Sequence, residues 1–265
     1  NNQGNTLYAI WKRMLPVTIS KTWSLGSNFT APLEGAGFTV YSDPECTEIV
    51  TGKVSASDGK FTLYLKDIGT YYMKETTVPD GFEDNTNIYT ITVTGIGIEV
   101  ASTDGDVYTI SAEELLSGTQ GTYKINNVPK DDHMVNITVK KIDADTNEGL
   151  SGAQFTLCYV QSSGVDALVG TIDFGEDTGY TIEGLPSGTY KLIETNAPAG
   201  YVILNSATEF VVNASPDPEE GEEVLALNGT PADAEIDSSD PSGKTIIIKN
   251  HAGAALPSTG GPGTN

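Results

Sequence analysis

Two sets of three residues, each a lysine, a glutamate and an asparagine, recur along this chain at matched spacing. Lys21, Glu75 and Asn127 form the first set; Lys141, Glu194 and Asn250 form the second. Glutamate follows lysine by 54 residues in one and 53 in the other, and asparagine follows glutamate by 52 and 56. In an extended strand, residues i, i+2 and i+4 share a face. Lys21 therefore lies with Val17 and Ile19, Lys141 with Ile137 and Val139, Glu75 with Tyr71 and Met73, and Glu194 with Tyr190 and Leu192. Two of the choices are between neighbours, Asn126 or Asn127 and Lys140 or Lys141. Alternation with Tyr123 and Ile125 favours Asn127, and alternation with Ile137 and Val139 favours Lys141.

Burial gives these side chains a chemistry. A lysine in an apolar core loses its proton, because desolvation lowers its pKa by as much as ~3–5 units. The neutral amine is a nucleophile, and an asparagine amide is an electrophile. A buried glutamate keeps its proton; it can polarise the amide carbonyl and then shuttle protons so that ammonia leaves. The product is an intramolecular Lys–Asn isopeptide bond tying a first strand to a last one. The plainer alternative is a buried polar triad, or a lysine that snorkels to the surface. Three residue types repeating together in two copies favour the chemistry.

The elements that must position these groups also repeat. Tyr71–Phe82 (YYMKETTVPDGF) and Tyr190–Tyr201 (YKLIETNAPAGY) fit one frame, a strand carrying the glutamate and then a Pro-x-Gly turn closed by an aromatic. PLEGAGFTV at Pro32–Val40 matches GLSGAQFTL at Gly149–Leu157, and closing strands end at Asn127 and Asn250. Two related domains of about 115 residues follow, with boundaries at 14–130 and 131–252. Residues 1–13 read as the end of an upstream domain and 253–265 as a flexible tail. Alternating segments at Lys60–Leu65, Tyr71–Lys74, Tyr89–Thr94, Tyr180–Ile182, Tyr190–Ile193 and Glu209–Asn213, separated by Gly, Asp, Asn and Pro clusters, predict tandem all-β antiparallel sandwiches. Ser111 and Glu114 form a capping box that predicts one short helix in the first domain. Ser215–Gly243, acidic and rich in Pro, Asp and Ser, reads as a solvated loop insertion.

Composition narrows the function. The 265 residues include 29 glycines and 13 prolines, as many short strands and turns require. A net charge of −22 argues against nucleic acid and anionic membrane as partners. No apolar run reaches the ~18 residues of a spanning helix, and with no signal peptide the chain reads as a piece of a longer protein. Cys46 and Cys158 have no metal spacing and read as thiols on or near a surface rather than as an inter-domain disulfide. No Ser-His-Asp, Cys-His or metal constellation points to a turnover enzyme, and no cofactor is implied.

Both blocks resemble the Cna-B (SpaA-type, prealbumin-like) domains of Gram-positive pilins and surface adhesins. The second copy carries the resemblance best, with VKKIDADTNEGLSGAQFTL, then YKLIETNAPAGY, then IIIKN; together the copies cover nearly all of Leu15–His251. The resemblance implies a β-sandwich with an autocatalytic isopeptide bond, Lys21 to Asn127 and Lys141 to Asn250, with Glu75 and Glu194 as proton shuttles. The first copy departs from the pattern at Thr22-Trp23, where the family favours an apolar residue and then aspartate, and at Val78, where it favours alanine. Thr6–Trp11 is similar to the closing strand of internalin B-type repeats.

Leu256, Pro257, Ser258, Thr259 and Gly260 match the sortase pattern LPxTG. Following a pilin-type domain, this implies cleavage between Thr259 and Gly260 and transfer of Thr259 to an amine on peptidoglycan or another pilin subunit. The reading is therefore an extracellular, wall-anchored stalk of a pilin or adhesin. Its implied partners are sortase, peptidoglycan or other pilin subunits, and a host or matrix ligand reached through upstream domains. A polymerising shaft pilin using Lys130, or a ligand-binding adhesin, are the alternatives. Val128-Pro129-Lys130 echoes the pilin motif but lacks the aromatic before the proline, so it reads as linker. Asp143–Asn147 opens like a calcium loop, but Glu148 and Gln154 stand where glycine and a bidentate glutamate belong, so it reads as a turn.

Overall fold

The computed structural model describes residues 15–25, 29–119, 121–215 and 223–253. Apart from Val160–Ala167, which groups with the first unit, the chain divides between Met134 and Val135 into two compact units. The split falls four residues beyond the 130/131 boundary read from the repeat, after a short 3-10 turn at Asp131–His133. The segment 1–13 and the LPSTG pentapeptide at 256–260 lie outside the described residues.

The first unit contains β1 (Leu15–Leu25), β2 (Phe29–Pro32), β3 (Gly37–Tyr41), β4 (Ile49–Val54), β5 (Lys60–Leu65), β6 (Gly69–Thr77), β7 (Ile88–Thr94), β8 (Gly97–Ser102), β9 (Val107–Ser111), helix α1 (Ala112–Ser117) and β10 (Tyr123–Asn127). One sheet runs β10-β1-β2, with β5 also on β1; the other runs β4-β3-β6-β7-β8-β9. Alternation sets which face each strand buries. Val17, Ile19, Leu63 and Ile125 from one sheet and Phe38, Val40, Met73 and Ile91 from the other join a single apolar core. Helix α1 carries the expected capping box, with Ser111 Oγ accepting from Glu114 N and the Glu114 carboxylate accepting from Ser111 N.

The second unit contains β11 (Val135–Asp143), β12 (Gln154–Val160), β13 (Asp166–Asp173), β14 (Gly179–Leu185), β15 (Gly188–Asn196), β16 (Thr208–Val212), β17 (Leu225–Leu227), β18 (Ala234–Ile236) and β19 (Thr245–Asn250). Its sheets run β14-β11-β19-β18 and β13-β12-β15-β16-β17. Ile137, Val139, Ile182, Ile246 and Ile248 of the first sheet are buried, as are Phe155, Leu157, Tyr190, Leu192 and Phe210 of the second. Tyr190 stacks on Phe210 with centroids 5.6 Å apart and donates its hydroxyl to Pro186 O, so the one polar atom of this buried ring is satisfied.

Three features depart from the sequence expectation. Among the described residues each unit contains one parallel pair beside its antiparallel ones: β1 runs parallel to β10, and β11 to β19. First and last strands are adjacent and point the same way because the intervening strands carry the chain across to the second sheet and back. Ser215–Gly243 is not wholly loop, since β17 pairs with β16 and β18 with β19. Leu225 and Ala234 are each buried there, a single buried apolar anchor for each of these two strands beside its backbone pairing. Finally, Cys158 is buried on β12 rather than near a surface, and neither it nor Cys46 forms a disulfide.

Candidate functional site

The parallel pairing decides how lysine and asparagine meet. In the first unit Lys21 is the register partner of Ile125, and in the second Lys141 is the partner of Ile248. Asn127 and Asn250 each lie two residues beyond that partner, hence on the same inward face and one step along. Both lysines occupy the point where β1 or β11 changes its antiparallel neighbour. Lys21 N donates to Gly59 O at 2.7 Å and its carbonyl accepts from Leu33 N at 3.0 Å; Lys141 N donates to Thr178 O at 2.9 Å and its carbonyl accepts from Leu150 N at 2.8 Å. The backbone is thus held on both sides in each copy, and the side chain is directed into the core.

The glutamates come from the opposite sheet. Glu75 on β6 pairs with Phe38, and Glu194 on β15 pairs with Phe155, in each case next to a register shift in the partner strand. Both shifts fall immediately before the phenylalanine, so each bulge re-aims the glutamate's neighbourhood at the same place. Lys21, Lys141 and Asn250 have no exposed surface, and Asn127, Glu75 and Glu194 are buried.

In the first unit all three side chains converge. Lys21 Nζ donates to Asn127 Oδ1 at 2.5 Å, Asn127 Nδ2 donates to Glu75 Oε1 at 3.2 Å, and Lys21 Nζ stands 3.6 Å from Glu75 Oε2. Burial pulls the Lys21 ammonium down to about 8, against the opposing attraction of Glu75. Burial also pushes the Glu75 carboxyl up, with Lys21 and then Asn127 pulling the other way. Both shifts are toward the uncharged forms, the amine of Lys21 and the acid of Glu75, with Lys21 Nζ directed at the Asn127 amide.

In the second unit Asn250 Nδ2 donates to Glu194 Oε1 and Oε2, at 3.1 and 3.0 Å, and to Val202 O at 2.9 Å. Lys141 Nζ donates to Ile248 O at 3.1 Å. Burial lowers Lys141 to about 8, partly offset by Glu194 and Asp233. Asn250 Oδ1 is buried with no hydrogen-bond donor among the described residues. In both units the carboxyl faces the amide nitrogen, not the carbonyl oxygen that the sequence pattern suggests it polarises.

The neighbouring candidates are placed elsewhere. Asn126 is exposed and accepts from Ser24 Oγ at 2.8 Å, and Lys140 Nζ reaches Asp237 Oδ2 at 2.8 Å on the outer face. Lys130 is half-buried, and its backbone N–H donates to Gly81 O. Asp143 is committed to its own turn, where Oδ1 accepts from Asp145 N and Thr146 N; among the described residues no cluster has the makings of a metal site. Sequence reasoning missed Val202 and Leu204: the backbone carbonyl of Val202 accepts from Asn250, and the backbone N–H of Leu204 donates to Glu194. Backbone ligands leave no residue-type signal.

A model of the SpaA prealbumin-like fold domain matches the sequence twice, over residues 16–105 and 135–221. The protein belongs to this family. Each SpaA-type match begins at the strand that carries the lysine, and each contains the glutamate. The fold is similar to that of a streptococcal ancillary pilin (19% identity over 92% of this chain and 63% of that one, TM-score 0.35). It is also similar to the pilus adhesin SpaC of Lactobacillus rhamnosus GG (19%, 92% and 32%, TM-score 0.37) and to the shaft pilin SpaA of the same organism as its D295N mutant (17%, 92% and 100%, TM-score 0.31). The protein thus spans less than two thirds of the first two. No curated protein matches it.

Proposed function

We propose that this protein is a two-domain stalk of an extracellular, wall-anchored pilin or adhesin of a Gram-positive bacterium, and that each SpaA-type domain locks itself with a Lys–Asn isopeptide bond. In each domain the lysine Nζ attacks the asparagine Cγ, the Cγ–Nδ2 bond breaks, and the glutamate passes the proton from Nζ to the departing nitrogen, which leaves as ammonia. The reaction happens once per domain, so the protein is its own substrate and not a turnover enzyme. The observation that carries this reading is the first-to-last parallel strand pair in both units, with lysine and asparagine buried on its inner face and a glutamate reaching them from the facing sheet. A bond at that place transmits tension from the first strand to the last and leaves the intervening strands unloaded. Attachment by sortase at Thr259, to peptidoglycan or another subunit, rests on the LPSTG motif alone.

Intact mass of the purified protein tests the bonds. The expected value is the sequence mass less two ammonia molecules, falling to a deficit of one in Glu75→Gln or Glu194→Gln and to none in the double variant. A full sequence mass in the unaltered protein overturns the reading.

A further inference from the structure

Two residues of the repeat have no part in the chemistry above, yet they meet beside the second site. Tyr201, the aromatic that closes the glutamate frame, donates its hydroxyl to Asp143 Oδ2 at 2.7 Å. Asp143 is the register partner of Asn250, so this bond ties the turn after β15 to β11 at the level of the reactive amide. The aspartate is itself immobilised: it is buried, and its other oxygen caps the turn at Asp145 and Thr146.

The residues that follow Tyr201 form a strap over the site. Val202 N donates to His251 O at 3.0 Å, Val202 O accepts from Asn250 Nδ2 at 2.9 Å, and Leu204 N donates to Glu194 Oε2 at 2.8 Å. The side chains of Val202 and Ile203 are exposed, so the strap acts on the site through its backbone. Val202 O can only accept, so the amide presents its nitrogen to that carbonyl, and the same Nδ2 donates to Glu194 Oε1 and Oε2. That fixes which atom of Asn250 lies against the carboxyl.

The first copy lacks both members of the pair. Trp23 stands where Asp143 does, and Phe82 where Tyr201 does. There Glu75 Oε2 has no hydrogen-bond donor among the described residues, Lys21 Nζ standing 3.6 Å away, whereas Glu194 Oε2 has the Leu204 N–H. The segment after Phe82 still docks on the last strand, Glu83 N donating to Val128 O at 2.9 Å as Val202 N does to His251 O, so what the first domain lacks along with the polar pair is the backbone donor to the glutamate.

We propose that the Tyr201–Asp143 hydrogen bond holds the Val202–Leu204 strap in place, and that the strap aligns Asn250 and Glu194 for attack by Lys141. Tyr201 and Asp143 are positioning residues; neither touches the reacting atoms. The proposal rests on the isopeptide reading. It makes bond formation in the second domain dependent on a pair that the first domain does without.

The first domain serves as the internal control. The full protein is synthesised in a cell-free reaction with a short isotopic pulse, quenched in denaturant at intervals, and digested. The cross-linked peptides joining Lys21 to Asn127 and Lys141 to Asn250 are then quantified from the same sample. Tyr201→Phe and Asp143→Ala are each expected to slow the second linkage about tenfold, equivalent to about 1.4 kcal/mol in the barrier, while the first forms at its normal rate. Asp143→Asn retains a partner for the tyrosine oxygen and an Oδ1 cap for the turn, so it should restore most of the rate. In a Glu194→Gln background, where no second bond forms, Tyr201→Phe should leave the second domain folded with its near-ultraviolet circular dichroism intact. Equal rates of the second linkage with and without the Tyr201 hydroxyl overturn the proposal, as does loss of the folded second domain in that background. Absence of any Lys141–Asn250 linkage in the unaltered protein overturns the isopeptide reading itself and the proposal with it.

Discussion

Lys21 and Asn127, 106 residues apart in sequence, face each other across β1 and β10 with Nζ 2.5 Å from Oδ1. Both side chains are buried, and Glu75 reaches them from the opposite sheet, its carboxyl accepting the hydrogen bond from the asparagine nitrogen. An ammonium and a carboxylate sealed in an apolar core would each carry a desolvation penalty of several kcal/mol. Proton transfer from lysine to glutamate removes both charges at once. In the proposed reaction, formation of the amide would then remove the titratable amine altogether, so the folded state would gain by completing it.

The resulting cross-link should stabilise the first domain strongly. A bond between residues 106 positions apart closes nearly the whole domain into a loop, and the chain-entropy argument for a loop of that size gives about 5 kcal/mol. Glu75→Gln keeps the side-chain volume and leaves Lys21 and Asn127 unlinked. Urea denaturation should then show a first-domain transition destabilised by about that amount, with the second-domain transition in place. A loss below about 1 kcal/mol would mean that the bond contributes little, or does not form.

Much of this site was legible as alternation. Val17 and Ile19 place Lys21 inward, Tyr123 and Ile125 place Asn127 inward, and the structure accordingly leaves Asn126 outside on Ser24 and Lys140 outside on Asp237. Period-two patterning carries that information because a one-residue slip turns every side chain to the other face. The parallel sense of β1 and β10 was not legible, since it depends on how all the intervening strands cross between sheets. Nor was the orientation of the Asn250 amide, which is set by the carbonyl of Val202. Strands β17 and β18 were not legible either, because three residues with one buried anchor each make no periodic signal.

The unreacted lysine should reveal itself through pH. Asn250→Ala leaves Lys141 as a free amine, held near 8 in the folded protein against an ordinary 10.5. Below about pH 8 the lysine is protonated in both the folded and unfolded states, and its burial penalty is fully present. Between about 8 and 10.5 the unfolded protein binds a proton that the folded protein does not, so stability rises with pH, at up to about 1.4 kcal/mol per unit. Subtracting the same titration of Lys141→Met/Asn250→Ala isolates this group from the tyrosines and other lysines. Chemical denaturation from about pH 7 to 10.5 should give a difference that climbs across the window. A flat or falling difference would show that Lys141 is not desolvated in the folded state.

Gly59 sets the backbone position of Lys21, and a methyl group there should disturb the first site specifically. Its φ is +72°, and a Cβ added to it would lie 2.2 Å from Lys21 O, a backbone atom with β2 and β5 around it. Something has to move, and the strand carrying the lysine is the nearest candidate. Gly35 is a matched control, because its φ is +80° and a Cβ there would meet nothing within 4 Å. Gly35→Ala therefore bears only the left-handed backbone penalty of about 1–2 kcal/mol, and its Lys21–Asn127 bond should form completely. Gly59→Ala bears that penalty and the clash as well. Since reacting groups displaced by about 1 Å can lose a hundredfold in rate, much of the protein should retain the ammonia of the first domain. Intact mass with peptide mapping distinguishes the two variants. Complete first-domain linkage in Gly59→Ala would show that the Lys21 backbone can shift without disturbing the site, and that the contact with Gly59 serves packing alone.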